Sequence, residues 1–195
     1  LTFRDGECHR MFVRASPLYP LNSVMHHGIV HGREFQGGSI GDVNPPELRN
    51  EARSYFASGA MLQELYLTPE LLPGAAWDAV ADAAKWAHKN ADVLIDAHWV
   101  GGDPLKGDVY GYAAWSARKG TLMLRNPSDV PQRFMLDVGS AFELPAGAAK
   151  RYMLKSPYSD QRIQNLICDA GTADVVELAP FEVVVFDAMP VKVII

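Results

Sequence analysis

The densest grouping of chemically capable side chains is Met25-His26-His27-Gly28-Ile29-Val30-His31. His27 and His31 stand four apart, the spacing that would bring two imidazoles to one face of a helix, and His26 adjoins them. A zinc site would need a third or fourth ligand in tetrahedral reach, and no carboxylate lies at a telling spacing. Gly28 and Gly32 also disfavour a helix here. The reading is no metal, with these histidines either lining a pocket or packed in a loop. Asp5, Asp42, Glu64, Asp96 and Asp103 fall near the ends of elements. Acid–base work needs two facing carboxyls, and no spacing selects a pair. Each reads as solvated or capping, and no catalytic residue is assigned. Gly37-Gly38-Ser39-Ile40-Gly41 lacks the Lys-Ser/Thr ending of a phosphate loop and reads as a flexible loop. Trp99, Tyr110, Tyr112 and Trp115 cluster as a set of large rings, suited to an interdomain core or to a platform for an apolar ligand face.

Composition narrows what these residues can serve. The 195 residues are 48% hydrophobic and 21% charged, which excludes a disordered or collagen-like chain. The formal net charge is −5 and the 18 Lys and Arg residues are scattered, so a nucleic-acid partner is not expected. No apolar run approaches the roughly 20 residues that span a bilayer, and no membrane partner is expected. Cys8 and Cys168 are far apart and read as two buried free thiols. The first residue is Leu1, and the chain is expected to be part of something longer.

The elements that would position these side chains change character near residue 100. A helix is predicted over residues 46–58, with Asn44 as its cap and Pro45 and Pro46 in its first turn. A second is predicted over residues 75–94, with Trp77, Val80, Ala84, Ala87, Ala91 and Leu94 on its inner face. The apolar run 60–67 reads as a short buried strand. Residues 109–115, 121–125, 134–138, 151–155 and 174–178 read as strands separated by turns, and 181–187 as a central strand covered on both faces. No helix is expected after Gly120. The fold class is α+β, with residues 1–100 and 101–195 as the two parts and an antiparallel sandwich in the second.

Three stretches carry a resemblance. Ser16-Pro17-Leu18-Tyr19-Pro20-Leu21-Asn22-Ser23-Val24-Met25 reads as a strand and the loop that follows it. Residues 47–72, with Arg53-Ser54-Tyr55-Phe56 and Leu71-Leu72, read as helix and strand. Lys119-Gly120-Thr121-Leu122-Met123-Leu124-Arg125-Asn126-Pro127-Ser128 and Ala179-Pro180-Phe181-Glu182-Val183 read as sandwich strands. Together they resemble the C-terminal region of α-galactosidase-like (melibiase-like) glycoside hydrolases. The resemblance implies the end of a (β/α)8 barrel over residues 1–100 and a β-sandwich over 101–195. It implies a retaining mechanism on α-linked, galactose-type sugars, with two aspartates on earlier barrel strands. Retaining glycosidases hold such carboxyls roughly 5 Å apart. The family's acidic stretch on the late strand stands here as Leu21-Asn22-Ser23, a departure from the pattern.

From this resemblance Asn22, His26 and His27 are expected to contact the sugar, because barrel chemistry sits at the C-terminal ends of strands, and Trp99 is expected to do so as the aromatic platform of the ring cluster. The expected partners are a carbohydrate substrate and the remainder of the parent polypeptide, with no cofactor. Alone, this chain is expected to be inactive. A stand-alone carbohydrate-binding or structural β-sandwich module is the alternative, and a metal-dependent enzyme using the histidines is a third reading.

Overall fold

The computed structural model describes residues 2–15, 19–26, 28–31 and 44–191. In the first half, α1 (Thr2–Cys8) runs into a π-helical stretch, His9–Arg14. There follow a 3-10 turn at Leu21–Ser23, β1 (Val30–His31), α2 (Pro45–Ala57) and β2 (Tyr66–Leu67). Val30 pairs with Tyr66 and His31 with Leu67 in parallel, and a further parallel bridge joins His26 to Gln63. Parallel neighbours need a crossover, and α2 supplies it.

Helix α2 starts at Pro45, one residue earlier than predicted, and Glu47 sits in its first turn beside the positive helix end. The Asn44 side chain makes no capping hydrogen bond; the Asn44 backbone carbonyl accepts from the Leu48 N–H. Leu48, Ala52 and Tyr55 form the buried stripe of α2, and Ile29 belongs to the same core cluster.

The single helix predicted over residues 75–94 is two, α3 (Gly74–Lys89) and α4 (Ala91–Leu94). The break falls at Asn90, whose amide donates 3.0 Å to the Trp86 carbonyl and competes with the helix's own bonding. The inner face is also rotated from the predicted one. Ala76, Val80, Ala83, Trp86 and Ala87 are buried, whereas Trp77 is 39% exposed. Trp86 is held inward because its indole N–H donates 2.8 Å to Asp187. The run 60–67 forms strand only at its end, and Met61 and Leu62 are exposed.

The second half is antiparallel. Its strands are β3 (His98–Gly101), β4 (Tyr110–Trp115), β5 (Gly120–Arg125), β6 (Gln132–Leu136), β7 (Arg151–Lys155), β8 (Asn165–Asp169), β9 (Asp174–Leu178) and β10 (Val183–Pro190). Six of them form one sheet in the order β3-β4-β5-β10-β7-β8, while β6 and β9 pair separately. One face of the large sheet, with Leu122, Leu124 and Phe186, shares a core with Leu136 and Val176 of the small sheet. The other face, with Tyr112, Met123, Val183 and Val185, shares a core with Tyr55, Phe56 and Trp86 of the helices. Residues 183–186 of β10 are therefore buried on both faces, as their unbroken apolar run requires. Strand β3 draws the sheet's first strand from before residue 101. The whole is an α+β chain.

One helical turn, α5 (Val138–Ala141), interrupts the strand predicted through Val138 and contradicts the expectation of no helix after Gly120. Asp137 causes it. Its Oδ1 accepts from the N–H groups of Gly139 and Gly171, each at 2.8 Å, and so caps α5 and ties it to the β8–β9 turn. Asp137→Ala is expected to cost about 1–2 kcal/mol, the usual loss of a helix cap. Urea unfolding checks this; an unchanged midpoint would show that the turn holds without its cap.

Candidate functional site

Strands β1 and β2 run the same way, so their C-terminal ends, at His31 and Leu67, lie together. This frame relocates the residues expected at a pocket. Asn22 lies in the 3-10 turn that precedes the paired segment. Its amide donates 2.6 Å to the Ile95 carbonyl, and its own carbonyl accepts from Met61 N–H at 3.1 Å. It is therefore at the N-terminal end of the strand pair. The predicted strand end near Val24 is corrected by the pairing of residues 26–31, where Ile29 is fully buried in the α2 core.

His26 is 3% exposed, with Nε2 3.2 Å from Cys8 Sγ and its carbonyl accepting from the Tyr55 hydroxyl. Burial, and then the Arg4 cation, push its imidazole down to about 4, against a weaker upward pull from Asp5. Burial, and then the Asp5 charge, push the Cys8 thiol up to about 12. The pair is thus a neutral thiol and a neutral imidazole. An activated nucleophile would need the opposite shift at sulfur. Cys8 and Cys168 are both buried and free. His27, Asp42 and the 37–41 glycine stretch lie outside the described residues.

Trp99 is packed among other rings. Tyr110 stacks on it at 5.0 Å and His9 lies against it at 5.1 Å, with Tyr112 edge-on. Its indole N–H donates to the Gly102 carbonyl at 3.2 Å. The ring is a piece of core joining the π-helical stretch to the sheet, and Trp115 is tied elsewhere, to the Tyr152 hydroxyl. Asp96 accepts from Trp115 N–H and Asp103 from Leu105 N–H, and Asp103 also lies 3.6 Å from His9 Nδ1 and 3.7 Å from Arg14.

The strongest electrostatic feature went unanticipated. Asp5 is completely buried and accepts from the Tyr110 hydroxyl and, at 2.9 Å, from Arg4 Nε. Arg4 also reaches Glu51 on α2, and Arg125 at the end of β5 lies 3.2 Å from Glu51 and 3.9 Å from Asp5. Burial would raise the Asp5 carboxyl, but the Arg4 and Arg125 guanidiniums and the Tyr110 hydroxyl outweigh it and hold it below the ordinary carboxylate range. Two cations and two carboxylates thus balance where α1, α2 and the sheet meet. The legible signal was Glu51 itself. It stands three after Leu48 and four before Tyr55, on the apolar stripe of α2.

A second polar pair lies on the opposite side of the parallel strands. Ile29 and Leu67 belong with the helix core, so alternation turns Val30 and Tyr66 the other way. On that face the Tyr66 hydroxyl donates 2.6 Å to Glu64 Oε2. The strands approach closely here. A Cβ on Gly28 would fall 1.4 Å from the Glu64 carbonyl oxygen, and the Tyr55 hydroxyl bridges both strands, donating to the His26 carbonyl and accepting from Glu64 N–H. At the opposite end of β2, a pocket of about 390 Å³ opens among Phe56, Ala60, Met61, Gln63, Ala84 and His88. Among the described residues no three His, Cys, Asp or Glu side chains converge as a metal site.

No family model and no curated protein sequence matches this chain. Solved structures do match, glycoside hydrolases among them. A proposed α-N-acetylgalactosaminidase from Bacillus halodurans C-125 superposes with a TM-score of 0.61 at 12% identity, over 97% of this chain and 44% of its own. A family 27 β-L-arabinopyranosidase from Geobacillus stearothermophilus, solved with arabinose, gives 0.60 at 10% identity, over 98% and 42%. The α-galactosidase I of Mortierella vinacea gives 0.51 at 14% identity, over 76% and 36%. At such identities the likeness is one of fold. The chain spans less than half the length of each of these enzymes, and its antiparallel sheet matches their C-terminal β domain.

Proposed function

We propose that this chain is the C-terminal portion of a glycoside hydrolase acting on α-linked, galactose-type sugars, with the catalytic carboxylates carried outside it. In this reading residues 1–100 complete a (β/α)8 barrel and 101–195 form its accessory sandwich, with β3 crossing from one to the other. The carrying observation is the parallel β1–α2–β2 unit joined to the antiparallel sheet. A parallel pair of two-residue strands is far below what stands alone in water, and parallel sheets are covered on both faces. Met25, Met61, Leu62 and Leu65 are exposed around that pair, as they would be where further barrel strands cover them. Asn22, His26 and Trp99 then act as supports that fix the barrel end to the sandwich. The neighbours' activities support this reading by fold only, since one fold serves many chemistries.

The test compares the complete open reading frame with residues 1–195 alone on an aryl α-galactoside. Turnover is expected only from the complete protein, abolished by replacing one of two aspartates outside this chain. Activity in residues 1–195, lost on substituting a single Asp or Glu within them, would overturn it. An inactive complete protein whose sandwich binds galactosides would favour the stand-alone binding module.

A further inference from the structure

We propose that strand β8 is the contact edge of a symmetric dimer, in which two copies of this chain pair β8 with β8 antiparallel about Ile167. Strand β8 closes one end of the six-stranded sheet, and among the described residues no strand pairs with its outer side. Just beyond its ends, Ser156 N–H donates to the Gln164 carbonyl and Ala170 N–H to the Lys150 carbonyl. The even-numbered residues of β8 thus turn their backbone groups toward β7, and Asn165, Ile167 and Asp169 turn theirs outward. Natural sheets commonly blunt such an edge with a lysine, a proline or a bulge. Strand β8 carries neither residue, and its five residues pair with β7 one to one.

A two-fold axis at Ile167 suits this edge. The two Ile167 residues exchange both backbone bonds, and Asn165 of each copy pairs with Asp169 of the other. The side chains agree with that register. Met189 pairs with Met153, and Met153 with Ile167, so an exposed apolar row crosses β10, β7 and β8. The axis joins this row to its own copy and doubles its length. Charge is complementary as well. Arg151 holds Asp169 through two contacts of 2.7 Å, and the Asn165 amide of the second copy donates to the same carboxylate from the open side. Like charges directly opposite one another destabilise a strand pair. None meet in this register, whereas centring the axis on Asp169 would set two carboxylates face to face. The edge is complementary to itself, which singles out a second copy as its occupant.

The experiment is sedimentation velocity on the complete protein. A short edge contact lies at the small end of specific interfaces, so dimer is expected at about 100 µM and monomer at about 1 µM. Ile167→Lys places two ammonium groups opposite each other and should raise the dimer Kd at least about tenfold, with melting near the wild-type temperature because the side chain is exposed. Ile167→Cys tests the register without relying on that variant. Cα atoms of a hydrogen-bonded antiparallel pair stand roughly 5.5 Å apart, within disulfide range, so mild oxidation should yield a covalent dimer. Met153→Cys, held about 14 Å from its mate by three strand spacings, should yield none. A monomer at about 100 µM would overturn the proposal. So would a dimer that Ile167→Lys leaves intact and Ile167→Cys fails to cross-link, or equal cross-linking through both cysteines. Turnover enters none of these measurements, so the glycosidase reading stands or falls separately.

Discussion

Arg125→Met is expected to destabilise the protein by about 3–5 kcal/mol, the usual cost of removing one partner from a buried ion cluster. Methionine keeps much of the arginine's length, so little volume is lost and the effect is electrostatic. Among the described residues Arg125 ties the sheet to Glu51, and it also faces Asp5. Its removal leaves two carboxylates sharing the single Arg4 guanidinium in a site closed to water. One uncompensated charge must then be protonated, hydrated or expelled. The double variant Arg125→Met/Glu51→Met should recover much of the loss, because it removes a charge of each sign and leaves Arg4 and Asp5 paired. Chemical denaturation of the two single variants and the double gives the coupling between the sites. Losses under about 1 kcal/mol in each single variant, with simple addition in the double, would show that the cluster is solvated. The same cluster predicts an acid limit. The depressed Asp5 carboxyl contributes stability that is complete above its ordinary value, roughly 3.9, and is lost as pH falls through its folded value.

How far these features could be read in advance depended on whether local chemistry or distant contact decided them. Strands β4, β5, β7 and β9 were legible because alternating patterns, aromatic runs and turn residues all act within a few residues. Helix α2 was legible through its prolines and Glu47. The break at Asn90 was not, because Ala91 and Leu94 continue the apolar period and only the Asn90 amide bond reveals the stop. Trp77 and Trp86 satisfy helical periods equally well. What decides between them is Asp187, roughly a hundred residues on, which receives the Trp86 N–H. Strand β8 escaped notice since it lies at a sheet edge, where Asn165 and Ile167 are exposed and the apolar alternation is broken. The frame of β1 mattered most for the site. Its apolar residues fit a strand starting on either side of Val24, and only pairing with Gln63 and Tyr66 fixes where it ends. Asn22 was misplaced for that reason, while Glu64, already among the candidate carboxylates, could be assigned a face only once that register was known.

Mild acid should destabilise the protein, and His26 should be the main cause. Its imidazole is held at about 4 in the fold, against roughly 6.5 in an unfolded chain. Between these values the unfolded chain takes up a proton that the folded site refuses. Stability is therefore complete above pH of roughly 6.5, declines as pH falls through the window, and levels off for this group near 4. At about 1.4 kcal/mol for each pH unit, the full loss is about 3 kcal/mol. The cause is mainly burial: a charged ring beside Cys8 would lose its water and face the Arg4 cation, with Asp5 only partly compensating. His31 is likewise held down by burial and acts in the same direction, so the wild-type curve contains both. His26→Asn separates them, since an amide can still meet the Cys8 thiol but takes up no proton in this range. The variant is expected to lose stability at neutral pH and yet show a distinctly flatter decline from pH 6.5 to 4. Urea unfolding at half-unit pH steps measures both curves. If wild type and His26→Asn fall in parallel across that window, the acid sensitivity arises elsewhere and the buried, neutral state of His26 is refuted.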